Sequence, residues 1–507
     1  MPGGLLQLTT YQQDGGDMTN NTPQITFFKS VYKRFTNFAI ENIEVDFNQS
    51  GEPSWDNPFE LTCRLDNIGH LLSKLYLKVS VPQFNQDIDP ALNVRWNDDC
   101  GIHIVDKVQF IIGGEIIQEF SNDWINIYYK RYITYESYIQ SKGLLNIRNS
   151  PYQKKIINMH TFLYVFLPLY FSKEWSLSIP FLNIEYQSMY IKIIVKPIKQ
   201  WLTVIENQPG NPFFGKRVAP YGTYIDTLKK MAQGKFEFSL HIHCGFLDND
   251  EFKKLRSSTI SYLIDQTTEI IQQDITDGMV SISIYQRLPI KEIWILPYRN
   301  DNASRNTWCN YSTLDQFEGR DGDLQKPISF LTSQYTPQDF LQQYQLSYVQ
   351  KNIIPKHNII ETVSLLLDEQ YRFKNLSADY LAFVQPFIHK YHFNTQDYIY
   401  NYSFAINPLE YQPSGFLNIE RINTARLDIQ ISNPPPPRPT ALVVQKSYDA
   451  EGSKSNKKIK TLYQPQTGEF TPYYNYDFAY KYNIKIIFVN FNILQIKSGM
   501  ADLIIRK

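Results

Sequence analysis

The sequence predicts an all-β protein with two tandem domains, and three observations favour this fold class. The chain has 507 residues, which is too long for one hydrophobic core and fits two large domains. Aromatic residues make up 15% of it, with 36 Tyr and 32 Phe, and such side chains suit the pleated surfaces of sheets. The 28 Pro outnumber the 22 Gly, which favours short strands joined by stiff turns.

The order of strand-like and irregular segments indicates where the domains lie. Residues 1–30 are rich in Gly, Thr, Gln and Asn and predict an extended N-terminal arm. The first domain is expected at 31–210 and the second at 211–507, because the Pro- and Gly-rich stretch around residue 210 has no clear periodicity. Long loop insertions are expected within the second domain at about 300–357 and 433–473. Sixteen short strands in two eight-stranded sandwiches would leave much of the chain in loops, which favours two jelly rolls with short helices and elaborated loops.

Charge and cysteine content exclude several classes of protein. Fifty Lys and Arg residues balance fifty Asp and Glu residues, whereas a protein that coats DNA needs a basic surplus. We therefore expect no direct contact with nucleic acid. A chain with little net charge also lacks the long-range repulsion that opposes self-association. The four cysteines form no CxxC pair, so neither a disulfide framework nor a zinc ribbon is indicated.

Membrane and secretory segments are not expected either. The longest apolar run, at 162–171, contains Pro168 and is much shorter than the roughly 20 residues of a transmembrane helix. The N-terminus has no basic segment followed by an apolar core, so a signal peptide is not indicated. Any membrane contact is therefore expected to be indirect.

One hairpin and one helix have clear local signals. Gly113 and Gly114 separate two strand-like runs, and a Gly-Gly pair suits a type I′ turn, in which both central residues have positive φ. Ser121 or Asn122 can cap a helix over 123–132, where apolar side chains share one face.

His241 and His243 form the strongest candidate for a metal site. Residues two apart on a strand project from the same face, and Asp248 follows closely, as in the metal-binding motif of cupin-type jelly-roll enzymes. The alternative interpretation is that both histidines lie on a partly hydrated strand face and that Asp248 helps to cap a following helix. GxGxxG, HExxH and GxSxG motifs do not occur, so nucleotide, zinc-protease and serine-hydrolase sites are not indicated, and we predict no catalytic residue or cofactor.

Several segments resemble the major capsid proteins of nucleocytoplasmic large DNA viruses. These segments are GGLLQLTTY at 3–11, PQITFFKSVYKRFTNF at 23–38 and YQPSGFLNIERI at 411–422, with further similarity at 247–264 and 482–501. They occur in the expected order along almost the whole chain. Asn, Ile, Lys, Tyr and Phe are abundant, as is typical of proteins encoded by A/T-rich genomes. This composition points to the mimivirus-like branch.

This resemblance implies a structural function. A double jelly roll is expected to form homotrimeric, pseudo-hexagonal capsomers that tile an icosahedral shell. Its partners would be neighbouring capsomers and minor capsid proteins beneath the shell, and its location would be the outer capsid of a virion assembled in the host cytoplasm. Pro413, Ser414 and Gly415 are expected to form a tight turn that directs Phe416 and Ile419 inward.

Two other functions remain open at the level of sequence. The first is a metal-dependent, cupin-like enzyme that uses His241 and His243. The second is a carbohydrate-binding attachment protein, since jelly rolls also build lectins and tyrosine side chains stack on sugars.

Overall fold

The protein forms two β-sandwiches that follow one another along the chain. The computed structural model describes residues 3–9, 26–30, 32–48, 53–65, 68–84, 88–97, 99–145, 161–206, 217–218, 223–233, 235–276, 278–312, 358–392, 398–432, 441–446, 459–464 and 480–505. All statements about the fold concern these residues.

The strands between residues 38 and 247 form the first sandwich, a separate three-stranded sheet and a separate two-stranded sheet. These strands are β1 (Phe38–Asp46), β2 (Phe59–Arg64), β3 (Leu71–Val81), β4 (Gln83–Phe84), β5 (Leu92–Trp96), β6 (Val105–Ile112), β7 (Glu115–Ser121), β8 (Thr161–Phe166), β9 (Ile179–Pro180), β10 (Met189–Val195), β11 (Leu202–Glu206), β12 (Arg217–Val218), β13 (Ala232–Gln233) and β14 (Glu237–Leu247). One sheet has the order β1-β14-β3-β8, with β9 added beside β3, and the facing sheet has the order β2-β10-β6-β7.

The second sandwich repeats this arrangement. The strands of this half are β15 (Ile260–Ile275), β16 (Met279–Ser283), β17 (Ile290–Arg299), β18 (Ile360–Leu367), β19 (Gln370–Ser377), β20 (Tyr400–Ser403), β21 (Ala425–Ile431), β22 (Ala441–Lys446), β23 (Ile459–Gln464), β24 (Tyr482–Lys497) and β25 (Met500–Leu503). Of these, β22 and β23 form a separate two-stranded sheet. One sheet has the order β15-β24-β17-β20, with β25 added beside β24, and the other has the order β16-β21-β18-β19. Two packed four-stranded sheets in each half are the arrangement of a jelly roll, and the predicted all-β double jelly roll is confirmed.

Short helices connect the strands. The α-helices are α1 (Gly3–Thr9), α2 (Cys100–Ile104), α3 (Asn122–Ile127), α4 (Tyr135–Leu145), α5 (Thr223–Met231), α6 (Asn249–Ser257), α7 (Asn302–Arg305) and α8 (Gln385–Ile388). Two π-helical turns lie at Tyr128–Tyr132 and Tyr380–Val384, and 3₁₀ turns lie at Tyr170–Ser172, Trp175–Leu177, Phe181–Asn183 and Ile198–Gln200. Among the residues described, none of the helices combines the length and the apolar character needed to span a membrane.

The burial of the strands follows their apolar patterns. Strand β10 alternates buried and half-buried residues, as expected for a strand with one face in a core. Strand β24 is buried at nearly every position from Tyr482 to Asn492, and this agrees with its mostly apolar sequence. A strand of that kind has both faces covered.

One predicted boundary and one predicted conformation differ from the structure. The sequence predicted the second domain to begin at residue 211, but β14 pairs with both β1 and β3 and so belongs to the first sandwich. The change between sandwiches therefore lies between β14 and β15. The predicted extended arm includes helix α1, because Leu and Gln in this segment are good helix formers. Most of the predicted insertions at 300–357 and 433–473 lies outside the described residues; the parts within them include α7 and the β22–β23 hairpin.

Candidate functional site

The junction between the two sandwiches is the most elaborate polar and aromatic site in the described part of the chain. We define the junction as the contact of β7 and residues 122–132 with the sheet that contains β15, β17 and β24. Gln118 of β7 donates from Nε2 to the carbonyl oxygen of Asp265 in β15 at 3.0 Å. Thr267 donates from Oγ1 to the carbonyl oxygen of Glu119 at 2.6 Å. Two edge strands are thus joined through side chains, which satisfies backbone groups that an edge would leave unpaired.

The sheet on the second side of the junction is buried on both faces. Trp294 in β17 and Ile487 in β24 are fully buried within the core cluster of the first sandwich. Their neighbours Ile293 and Ile486 belong to the core cluster of the second sandwich. Alternate residues of one strand point to opposite faces, so this single sheet contributes to both cores.

A buried ion cluster holds this sheet to the first sandwich. Lys485 of β24 is 8% exposed, and its Nζ lies 2.6 Å from Oδ2 of Asp123 and 3.0 Å from Oε2 of Glu269. Burial alone would lower the pKa of Lys485, but the charges and hydrogen bonds of the two carboxylates raise it above its ordinary value. Burial would raise the pKa of Asp123, yet Lys485 lowers it. Both groups therefore stay charged at neutral pH.

A second ion cluster forms around Asp265 of β15. Asp265 forms ion pairs with Lys173 and, at 3.6 Å, with Lys291. Burial would raise the pKa of Asp265, but these two lysines lower it to about 2. Glu292 is fully buried and accepts a 2.6 Å hydrogen bond from the hydroxyl of Tyr132. Burial, followed by the nearby charge of Glu292, raises the pKa of Tyr132, so this hydroxyl stays protonated and continues to donate.

Aromatic rings from both sandwiches pack together at the junction. The ring of Tyr132 from the first sandwich lies 6.0 Å from Trp294 and 5.5 Å from Tyr391 of the second. Arg131, almost fully buried, donates to the carbonyl oxygen of His392 at 3.1 Å. Such paired, hydrogen-bonded contacts fix the orientation of one sandwich on the other.

The residues of the two predicted turns lie in different sandwiches. Gly113 and Gly114 form the turn between β6 and β7 with φ of 58° and 87°. Gly415 has φ of 146°, and a Cβ there would lie 2.6 Å from the carbonyl oxygen of Phe404. Ser414 accepts a 2.8 Å hydrogen bond from the backbone nitrogen of Asn407 through its Oγ.

The side chains that follow Gly415 divide between core and solvent. Pro413, Ser414 and Gly415 lie in an irregular segment after the turn at 408–409. Ile419 is buried as predicted, but Phe416 is half exposed. The inward direction predicted for Phe416 is wrong, because its ring lies at the surface 6.5 Å from the ring of Phe491.

The histidines of the predicted metal motif have other contacts. Nδ1 of His241 lies 3.2 Å from Nδ2 of Asn42, and its Nε2 lies 3.5 Å from Glu44. His243 lies two residues along the same strand, with its ring 5.5 Å from that of Tyr76. Asp248 accepts a hydrogen bond from the backbone of Asn249 and caps α6. Within the described ranges no group of three or more His, Cys, Asp or Glu side chains is placed to hold a metal ion.

The ion clusters of the junction were not predicted from the sequence, although the sequence carries a usable signal. Lys485 interrupts the long apolar run of β24, and charged residues within such a run are almost never buried unless they are paired.

Comparison with known proteins identifies the family. Residues 26–225 match the family model described as major capsid protein N-terminus, and residues 251–502 match the model described as large eukaryotic DNA virus major capsid protein. The chain belongs to this family of major capsid proteins. Its members are structural proteins of viral shells and not enzymes, so the cupin-like enzyme and the attachment protein are not supported.

Individual relatives agree with this assignment. The major capsid protein of Phaeocystis pouchetii virus is 25% identical, and the match covers 85% of this chain and 94% of that protein. Probable capsid protein 4 of Acanthamoeba polyphaga mimivirus is 24% identical, with 85% and 93% covered.

Solved structures of capsid proteins have the same fold. A chain of the PBCV-1 virus capsid has a TM-score of 0.64 at 19% identity and covers 95% of this chain and 100% of its own length. The Faustovirus major capsid protein has a TM-score of 0.59 at 13% identity, with 97% and 96% covered.

Proposed function

We propose that three copies of this chain form a homotrimeric capsomer with a pseudo-hexagonal outline and that these capsomers tile the icosahedral shell of a large DNA virus. The observation that carries the proposal is the repeated strand order of the two sandwiches. Three chains supply six sandwiches of one topology, so a threefold object acquires six similar sides. Objects of that outline pack side by side into a nearly flat facet.

The junction supports this function because a shell element needs a fixed shape. The ion clusters around Lys485 and Asp265 and the buried ring of Tyr132 set the angle between the sandwiches. A flexible angle would change the outline of the capsomer and weaken contacts with its neighbours.

The remaining partners follow from the same proposal. Neighbouring capsomers contact the sides of the trimer, and minor capsid proteins contact the surface beneath the shell. The predicted insertions at 300–357 and 433–473 supply outer loops, and the arm at 1–30 contacts a neighbour. The formal charge of zero supports a wall that touches neither the genome nor a membrane directly. Assembly takes place in the host cytoplasm, and the finished protein resides in the outer capsid.

Light scattering of the purified chain at micromolar concentration tests the proposal. We expect a species of three times the 59.6 kDa chain mass. Obligate interfaces of this kind bury about 2,000 Å² or more, so the trimer should persist on dilution. A stable monomer at this concentration would contradict the proposal.

A further inference from the structure

The junction inside one chain is a contact between two unlike surfaces. One surface, here called the inserting edge, consists of β7 and the helical residues 122–132. The other, here called the receiving face, is the outer face of the sheet β15-β24-β17-β20, where Trp294 and Ile487 are fully buried. The first sandwich supplies the inserting edge, and the second supplies the receiving face.

Each sandwich also has the other kind of surface. The second sandwich has an inserting edge of its own, and the first sandwich has a receiving face of its own. By strand order, the second inserting edge is β19 with the helical residues 378–388. The likeness extends to local structure, since both inserting edges contain an α-helix and an adjoining π-helical turn. The second receiving face is the outer face of the sheet β1-β14-β3-β8.

The second inserting edge presents apolar side chains to solvent. Phe387 is 77% exposed and Ile388 is 53% exposed, whereas Trp124 and Ile127 on the first inserting edge are buried. Strand β19 is exposed or half-buried along its whole length, whereas β7 is largely buried. Exposed apolar groups on a helix beside an exposed edge strand are typical of an interaction surface.

The second receiving face is exposed in the same way. Register pairs such as Lys78 with Tyr164 place the side chains of β3 and β8 on one outer face, which also carries the predicted histidine pair of β14. Ile40 and Phe162 on this face are about half exposed, and the segment before β1 exposes Phe28 and Phe35 almost fully. The equivalent strand in the junction, β15, buries Ile264 and Gln266 completely or nearly so.

The two exposed strands carry opposite charge. Strand β1 contains Glu41, Glu44 and Asp46 and no basic residue. Strand β19 contains Arg372 and Lys374 and no acidic residue. Charge of opposite sign favours contact between these strands and disfavours contact between two copies of either one.

We infer that β19 and residues 378–388 of one copy dock on β1 and the outer face of its sheet in a second copy, in the manner of the internal junction. This inference rests on the proposed trimer. The contact joins different surfaces of two identical chains, so it is heterologous, and a rotation of one third of a turn closes it into a ring. The ring then contains three junctions within chains and three similar contacts between chains.

Charge reversal tests the contact between the strands. We expect Arg372→Glu with Lys374→Glu to raise the dissociation constant of the trimer at least tenfold, and Glu41→Lys with Asp46→Lys to do the same. Combining all four substitutions should restore association, because the charges are then exchanged. Glu44 is left unchanged because it pairs with Lys78 within the chain. Sedimentation measures the dissociation constants, and circular dichroism checks that each variant is folded.

The apolar part of the contact is tested by Phe387→Asp, which should also raise the dissociation constant at least tenfold. Lys253→Glu with Lys254→Glu on α6 is the matched charge control, and Tyr285→Asp at a position 87% exposed is the matched aromatic control. Both controls should remain trimeric.

Three results separate the possible failures. If the β19 and Phe387 variants remain as trimeric as the wild type, the inferred contact is wrong although the trimer stands. If the four-substitution variant stays dissociated while each pair of substitutions dissociates the trimer, the pairing of β1 with β19 is wrong. A monomeric wild type would instead refute the proposed trimer itself.

Discussion

Nζ of Lys485 lies 2.6 Å from Oδ2 of Asp123, and this buried ion pair ties the long strand β24 of the second sandwich to the helix that follows β7 of the first. The pair spans the junction on which the relative orientation of the two sandwiches depends. Its removal should therefore affect the whole molecule.

Lys485→Met should lower the free energy of unfolding by about 3 kcal/mol, because Asp123 and Glu269 would lose their buried cation. Urea denaturation measures the change. Lys481→Met is the control, since Lys481 is half exposed and lies 3.8 Å from exposed Asp274. That substitution should cost less than about 1 kcal/mol. Equal losses for the two variants would show that the buried pair has no special role.

Asp265 should make stability depend on pH in the acid range. Its pKa is about 2 in the folded protein, below the ordinary value of 3.8 that it regains on unfolding, so the folded state binds fewer protons. The contribution is complete above pH 4 and is lost as the pH falls through about 2, for a total of about 2 kcal/mol. As the pH is lowered from 5 to 2, the urea concentration at the midpoint of unfolding should fall less steeply for Asp265→Asn than for the wild type. Parallel profiles would contradict this assignment.

Tyr132→Phe should destabilise the protein by about 2 kcal/mol, because fully buried Glu292 would lose a short hydrogen bond from the tyrosine hydroxyl. Thermal unfolding followed by calorimetry is the measurement. Tyr285→Phe removes a hydroxyl from a ring that is 87% exposed and should leave the transition unchanged. If Tyr132→Phe leaves the stability unchanged, a water molecule replaces the hydroxyl as the hydrogen-bond donor to Glu292, and the predicted role of this hydroxyl is wrong.

Gly415→Ala should cost about 3 kcal/mol, since φ is 146° and the new Cβ would lie 2.6 Å from a backbone oxygen. Gly114→Ala should cost about 1 kcal/mol, because φ is 87° but nothing lies within 4 Å. Gly143→Ala is the control: it lies in helix α4 with open space around it, and the substitution should stabilise the helix slightly. Chemical denaturation should therefore find Gly415→Ala the least stable variant, followed by Gly114→Ala and then Gly143→Ala. Any other order would show that backbone strain is unimportant.

Local patterns predicted the strands but not their partners. The Gly113–Gly114 turn and the alternating residues of β10 are visible in a short stretch of sequence, because each depends on neighbouring residues. The place of β14 depends on pairing with β1, where Asn42 lies opposite His243 after about two hundred intervening residues. No local pattern encodes that distance, and so the domain boundary was predicted too early.

The ion pairs of the junction could not be predicted from the sequence for a related reason. Asp123 is an ordinary acidic residue near the start of a helix, and Glu269 is one polar residue within a strand. Their function as partners of a buried cation depends on folding, which places Lys485, from near the end of the sequence, beside both carboxylates. The helix predicted for 123–132 is present at α3, but it changes to a π-helical turn at Tyr128, where rings of both sandwiches pack together.

The sheet that serves two cores has a consequence for how the chain can be divided. A fragment that ends after β14 would leave the apolar residues that pack against Trp294 and Ile487 facing water, and a fragment that begins at β15 would expose those two side chains. Neither fragment is a self-sufficient folding unit. Recombination between relatives should therefore preserve both halves as a matched pair, and a chimera that exchanges one half should aggregate unless the opposing surface is exchanged with it.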